Sequence, residues 1–426
     1  MHVSTKIFKI LYRLTLPGSL LLLIAALMIR VGVLAEPNSP TVRFFPLVLL
    51  GAGLALSAFF RRSRLFFAMV MLLLAHIAFA WIVPHLAATS ARVVSSAIAL
   101  LLPLNLGVLV YLRERGIISP AGRRRWAWIA AEIVAVSILC THWLAFPASY
   151  LSRAFVPLGL SRWSHLSQPA LVVFMLASVA IIVPLIRRYH AIESSLLWTL
   201  VAAFVALRVG GSTPMAGVFF ATGGMVLIVA LIETSYSMAY LDELTQLPSR
   251  RALNEALLKL GDTYTIAMAD VDHFKKFNDT YGHESGDQAL RLVSSRLAHI
   301  AGGGKAYRYG GEEFALVFPG KLSEEVFVYL DRMRRVIEQS TFMVRGKDRR
   351  KGKRAAAKGA KKEINVTVSI GLASTNGDRL LPSEVLRMAD QALYKAKAKG
   401  RNCVVTARIK KAPGSVQPRI RAFSAS

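Results

Sequence analysis

Two cysteines in 426 residues, Cys140 and Cys403, cannot support a disulfide framework, so packing alone must hold this chain together in a reducing compartment. Acidic residues are also scarce, with 25 Asp and Glu against 53 Lys and Arg and a formal net charge of +28. No period of 20 to 50 residues recurs, which excludes solenoids and propellers. The most basic run, "RGKDRRKGKRAAAKGAKK" at 345–362, has ten Lys or Arg and no aromatic residue. Without rings to stack on bases, no nucleic-acid partner is expected. Such a run repels itself and buries nothing, so it reads as a solvated insert, or as a segment drawn to anionic headgroups.

What is present divides sharply. Up to residue 234 the chain is mostly apolar, with segments near 15–29, 44–60, 65–83, 93–112, 126–146, 168–186, 194–207 and 213–233. A membrane span needs about 20 apolar residues, so these predict about eight transmembrane helices, with seven as the nearest rival because the first and seventh are short. An N-terminus inside places thirteen Lys and Arg in the inner loops, among them Lys6, Arg62, Arg113, Arg124 and Arg187, and six in the outer loops. That bias orients both the N-terminus and the C-terminal part towards the cytoplasm. "VLA" before Glu36 has the look of a signal-peptidase site, but Arg30 interrupts the apolar stretch and favours a retained anchor. His76, Asn105, Glu132 and His142 lie at membrane depth, each satisfied by a neighbouring helix or offered to a ligand.

The remainder reads as an α/β (α+β) domain over 249–408, joined through a helical linker at 235–248 that Pro248 stops and followed by a disordered basic tail at 409–426. The patterns predict helices at 249–260, capped by Ser249, and at 285–301, 323–339 and 383–400. Strands are expected at 264–272, 364–374 and 402–407, with a hairpin at 307–318. That hairpin, "YRYGGEEFALVF", puts Gly310 and Gly311 beside Glu312 and Glu313. Taken alone it is a turn in which Gly-Gly permits positive φ. Asp270 and Asp272 end the preceding strand, however. If the strands are neighbours, several carboxylates meet at one sheet edge, an arrangement that demands a cation. Mg²⁺ suits hard oxygen ligands and leaves positions for phosphates, which points to phosphoryl or nucleotidyl transfer. The two glycines would then admit a nucleotide close to the backbone.

Five stretches in order, "DELTQLPSRR" (242–251), "DVDHFKKFNDTYGHESGDQAL" (270–290), "RYGGEEF" (308–314), "VTVSIGLA" (366–373) and "ADQALYKAKAKGRN" (389–402), resemble the GGDEF family of diguanylate cyclases, here in a GGEEF form. The resemblance implies a palm-like cyclase fold. It also implies condensation of two GTP into cyclic di-GMP across a homodimer at the bacterial inner membrane, with two Mg²⁺, or Mn²⁺ in their place, per site. By position, Asp270, the Val271 carbonyl, Glu312 and Glu313 match metal ligands, with Glu312 also the general base. Lys275, Lys397 and Arg401 match triphosphate contacts, Asn278 and Asp287 guanine readers, and His283 a further substrate contact. Lys397 and Arg401, four apart at a helix end, are expected to face the same phosphates. Ser249 departs from the family's usual Asn. Ala301 to Gly304 lack the Arg-x-x-Asp product-inhibition site, so feedback through it is not expected. A nucleotide receptor without catalysis and a transporter with a regulatory tail are the rival readings. Retained carboxylates oppose the first, and the want of a broken-helix pair opposes the second.

Overall fold

A computed structural model describes residues 18–31, 40–140, 166–188, 191–210, 214–344, 362–376 and 380–407. The expectations resting on Lys6, His142, the end of the fifth apolar segment, most of the basic insert and the tail lie outside these residues. The chain divides into two units, 1–235 and 236–426.

Among the described residues, eight α-helices of the first unit coincide with the eight apolar segments: α1 (Gly18–Val31), α2 (Pro40–Phe59), α3 (Ser63–Ile77), α4 (Ala88–Leu109), α5 (Pro120–Leu139), α6 (Gln168–Arg188), α7 (Ala191–Arg208) and α8 (Pro214–Tyr240). A π-turn and a 3₁₀ turn prolong α3 to His85. Five stretches, 63–85, 88–109, 168–187, 191–208 and 215–240, are long and apolar enough to cross a membrane, and α1 and α2 fall short. The exterior is as apolar as the interior, with Leu23, Val48, Met175 and Val179 at least half exposed, as helices facing lipid should be. Asn105 on α4 donates to both Glu132 oxygens (3.1 and 2.9 Å), and the Trp128 indole donates to Glu132 (2.7 Å). Neighbouring groups thus satisfy the Glu132 carboxylate, while His76 stands edge-on to Phe220.

In the second unit β1 (Thr263–Val271) is central in a five-stranded sheet, flanked by β3 (Glu313–Pro319) and then β2 (Lys305–Gly310) on one side, and by β6 (Val368–Asn376) and β7 (Val404–Thr406) on the other. All neighbours are antiparallel except β6 and β7. Strand alternation sends Ala267, Ala269 and Val271 to one face, against α11 (His283–Leu297) and α12 (Ser323–Glu338). Ile266 and Met268 go to the other face, against α9 (Arg250–Leu257) and α13 (Pro382–Ala398). Burial on both faces explains why β1 reads as a continuous apolar run.

Four expectations need correction. The helical linker ends at Tyr240, not near 247. Residues 241–249 close a turn through the Leu241–Pro248 bridge and the Asp242 N–H to Leu247 carbonyl bond (2.9 Å). Ser249 holds the N-cap position of α9, but its hydroxyl donates to the Ala239 carbonyl (3.2 Å) and caps nothing. The strand expected at 364–374 is two: β5 (Lys362–Asn365) pairs with β4 (Thr341–Val344) in a separate hairpin, and β6 starts at Val368. Finally, α10 (Phe274–Tyr281) was not anticipated, because it is one short amphipathic stretch between turns.

Candidate active site

The register of the central strands builds the site. Asp270 lies opposite Glu313 on β3 and opposite Ser369 on β6, and the Val271 N–H donates to the Glu312 carbonyl (3.3 Å). The last residues of β1 and the GGEE turn therefore share one sheet edge. Lys397, in the final turn of α13, reaches Asp270 with a 2.9 Å ion pair. Burial raises the Asp270 carboxyl above the ordinary carboxylate range, against the hydrogen bond and charge of Lys397, and Asp272 adds to the rise. Glu312 is also raised, first by burial and then by the negative charge of Asp270. Both carboxylates are thus held where their charged forms are disfavoured, an electrostatic deficit that a cation relieves.

Asp272 does not join them. It is buried, and its carboxylate accepts from the Ser369 hydroxyl (2.6 Å), the Thr367 hydroxyl (2.7 Å) and the Asn402 backbone N–H (3.1 Å). Asn402 in turn bonds Arg334 (2.8 Å) and Glu338 (2.7 Å) on α12. The expected gathering of carboxylates from both segments is therefore narrower, comprising Asp270, Glu312 and Glu313 at the edge while Asp272 ties strands together. Among the described residues no three Asp, Glu, His or Cys side chains form a ready-made cation cluster.

The glycines are open and not strained. Neither Gly310 nor Gly311 has positive φ, which overturns the turn-chemistry reason for them. A Cβ on Gly311 would meet nothing within 4 Å, and one on Gly310 only a Glu313 oxygen at 3.6 Å, so open space adjoins the backbone there. Arg308 braces the turn from behind. Its guanidinium donates twice to the Gly311 carbonyl (3.2 and 2.7 Å) and pairs with Asp242 at 2.6 Å. Burial opposes ionisation of Asp242, yet hydrogen bonds from Thr245 and Arg308 hold its carboxyl below the ordinary range.

The helical contributors surround this edge. Lys275 and Asn278 lie on α10, His283 opens α11 and Asp287 stands one turn further along it, with Lys275, His283 and Asp287 exposed. The Asn278 Oδ1 is buried against Gly286 with no hydrogen-bond partner. Lys397 and Arg401 are not a helical pair. The helix ends at Ala398, Gly400 and Arg401 take φ +104° and +67°, and the Arg401 N–H closes back on the Ala396 carbonyl (3.1 Å), a Schellman turn. That turn brings the Arg401 charge within influence of Asp270.

Sequence reasoning missed several positioning residues. Gly286 admits no Cβ, which would overlap the Asn278 side chain, and Gly371 admits none because α13 presses its backbone at Ala389 and Leu393 onto β6 there. An isolated glycine inside an otherwise regular helix or strand was the available signal for both. His273 takes φ +55° between Asp272 and α10, a left-handed conformation that no pattern announces.

Residues 239–403 match the family described as "Diguanylate cyclase, GGDEF domain". The chain is 38% identical over 172 residues to diguanylate cyclase VdcA of Vibrio cholerae, covering 39% of this chain and 47% of the relative. It is 36% identical over 182 residues to the response regulator PleD of Caulobacter vibrioides, covering 41% of this chain and 37% of PleD. Among solved structures, the coiled coil and GGDEF domain of DgcB from Caulobacter crescentus, in complex with c-di-GMP, shares 32% identity over 41% of this chain and 90% of that one, with a TM-score of 0.36. The chain spans less than half the length of these two curated relatives.

Proposed function

Residues 239–403 of this chain belong to the GGDEF family, and from that premise we propose that it is a membrane-bound diguanylate cyclase, condensing two GTP into cyclic di-GMP with release of pyrophosphate. The observation that carries the reading is the pair Asp270 and Glu312, both raised at one sheet edge beside the open glycines and the Lys397 ammonium.

The roles follow from placement. Glu312, with its proton affinity raised by burial and by the charge of Asp270, is the base that takes the proton from the ribose 3′-hydroxyl. Asp270, the Val271 carbonyl, Glu312 and Glu313 would hold divalent cations, Mg²⁺ in the first instance. When bound, such ions neutralise triphosphate charge and polarise the attacked phosphorus. Lys275, Lys397 and Arg401 hold the triphosphate, and Lys397 leaves Asp270 as it does so. Asn278 reads the base after its amide turns out from Gly286, and Asp287 accepts from the two ring-edge donors that guanine offers and adenine does not. His283 flanks that pocket, and Gly310 and Gly311 let the nucleotide approach the backbone. One domain holds one nucleotide, so two chains with opposed turns are needed, and their mutual geometry is the control point for signals arriving through the membrane helices. The helical bundle lies in the inner membrane with the cyclase in the cytoplasm.

Full chain in detergent or nanodiscs, incubated with GTP and Mg²⁺ and analysed by chromatography, should form cyclic di-GMP. Glu312→Gln should reduce the rate by at least about a hundredfold, the lower range of a general base's contribution. A silent wild type under conditions where it is dimeric would instead make the domain a nucleotide receptor.

A further inference from the structure

Between α3, α4 and α5 the first unit contains a cleft of about 710 Å³, within the span of about 300–1,000 Å³ usual for small-ligand sites. Its walls are apolar, formed chiefly by Phe67, Met71, Leu104, Val108 and Ile129, and its mouth carries Arg113, Arg115 and Arg124. At its floor the Asn105–Glu132 pair separates it from a second apolar cavity of about 270 Å³ between the same three helices. The mouth is built, not incidental. Arg125 donates to the Ser63 hydroxyl (3.1 Å) and the Arg113 carbonyl (2.8 Å) and lies over the Phe67 ring at 5.4 Å, fixing the loop that bears Arg113 and Arg115 against the start of α5, which bears Arg124.

The three mouth arginines are exposed, and among the described residues none has a carboxylate partner. Up to residue 235 the chain holds five glutamates and no aspartate. Glu114 accepts from Ser63 and Arg64, Glu193 pairs with Arg64 at 3.5 Å, and Glu132 is bonded at the floor. Glu233 lies on α8, which contributes nothing to the cleft, and Glu36 lies outside the described residues. No described carboxylate of the first unit supplies their countercharge, and the apolar walls suit an occupant with hydrocarbon below its anionic group.

We infer that this cleft is a binding site for an anionic phospholipid, its phosphate at Arg113, Arg115 and Arg124 and an acyl chain along Phe67, Leu104 and Val108. The inference rests on the membrane reading of the first unit. Occupancy would wedge α5 against α4, making lipid composition an input to the helical bundle.

The test is native mass spectrometry of detergent-solubilised full chain titrated with phosphatidylglycerol or phosphatidylcholine. The wild type should bind phosphatidylglycerol at least about tenfold more tightly, given three guanidiniums at the headgroup. Replacing Arg113, Arg115 and Arg124 together by Ala should abolish the preference. Val108→Trp, at a cleft-lining residue 48% exposed, should fill the acyl-chain path and weaken binding while leaving the arginines and the elution profile intact. Equal affinity for the two lipids, or a triple variant that keeps the preference, overturns the site. Displacement of phosphatidylglycerol by millimolar inorganic phosphate, with Val108→Trp without effect, overturns it in favour of a soluble anion. Release of the chain from membranes by alkaline carbonate refutes the membrane premise separately, before any lipid is added.

Discussion

Replacing Asp272 by Asn separates two roles for that carboxylate. The side chain keeps its shape, so what changes is the character of three hydrogen bonds, from the Ser369 and Thr367 hydroxyls and the Asn402 N–H. The hydroxyls can rotate to accept from the new amide, whereas the backbone N–H cannot, so the amide oxygen stays towards Asn402 and the nitrogen turns to Ser369. No group is orphaned, but bonds to a charged acceptor, worth about 1.5–3 kcal/mol, become neutral ones of about 0.5–1.5, for a total loss of about 3–4.5 kcal/mol over the three. For a unit of this size that lowers Tm by roughly 6–18 °C. Asp272→Ala orphans all three donors and should lose more. Because Asn402 follows Arg401, KM for GTP should rise severalfold with a smaller change in kcat. The assay is thermal unfolding of metal-free full chain, followed by turnover. If Asp272→Asn leaves the metal-free Tm within 1 °C yet removes the gain on adding Mg²⁺, Asp272 is a cation ligand and the tie described here is wrong.

Gly286→Ala should push the Asn278 side chain aside and narrow the preference for GTP over ATP by about tenfold, read as the ratio of kcat/KM values; an unchanged ratio would remove Asn278 from base recognition. Gly371→Ala forces a methyl into the backbone of α13, so a loss above the usual overpacking range of about 1–3 kcal/mol is expected, seen as aggregation or a Tm drop near 10 °C. Glu312 is raised in the folded state, so its ionisation opposes folding at neutral pH and ceases to do so once pH falls below the ordinary carboxylate value, where both states are protonated. Glu312→Gln should therefore raise the metal-free Tm at pH 7.5, and the gain should shrink as pH approaches 4; a variant less stable at both values refutes the sign. Added cyclic di-GMP should not slow turnover through residues 301–304. Gly302 and Gly303 take φ +77° and +75° and Gly304 abuts the Phe318 ring, so installing an aspartate at 304 should destabilise the domain without conferring inhibition.

The sheet was legible wherever one strand face or both had to be buried, as in β1 and β3, because apolar alternation records burial directly. That Asp270 and Glu312 share one sheet edge was legible because carboxylates at the ends of neighbouring strands need a chemical reason. Asp272 was misread since its spacing resembles that of a ligand, and only the register of β6 and the turn after α13 reveal its three donors. Arg401 was misplaced because spacing alone extends a helix through Gly400, whereas the left-handed residues stop it. The Arg308 brace depends on residues 66 positions apart, a separation no local pattern encodes.

The hairpin of β4 and β5 stands apart from the five-stranded sheet, and Val344 faces Lys362 across its ladder. Whatever length or composition joins those two residues, the chain enters and leaves this corner at the same spot. Lineages can lengthen, shorten or recharge the connection at little cost to the edge that carries Asp270 and Glu312, and an experimenter can seat a fluorophore or affinity handle there for the same reason.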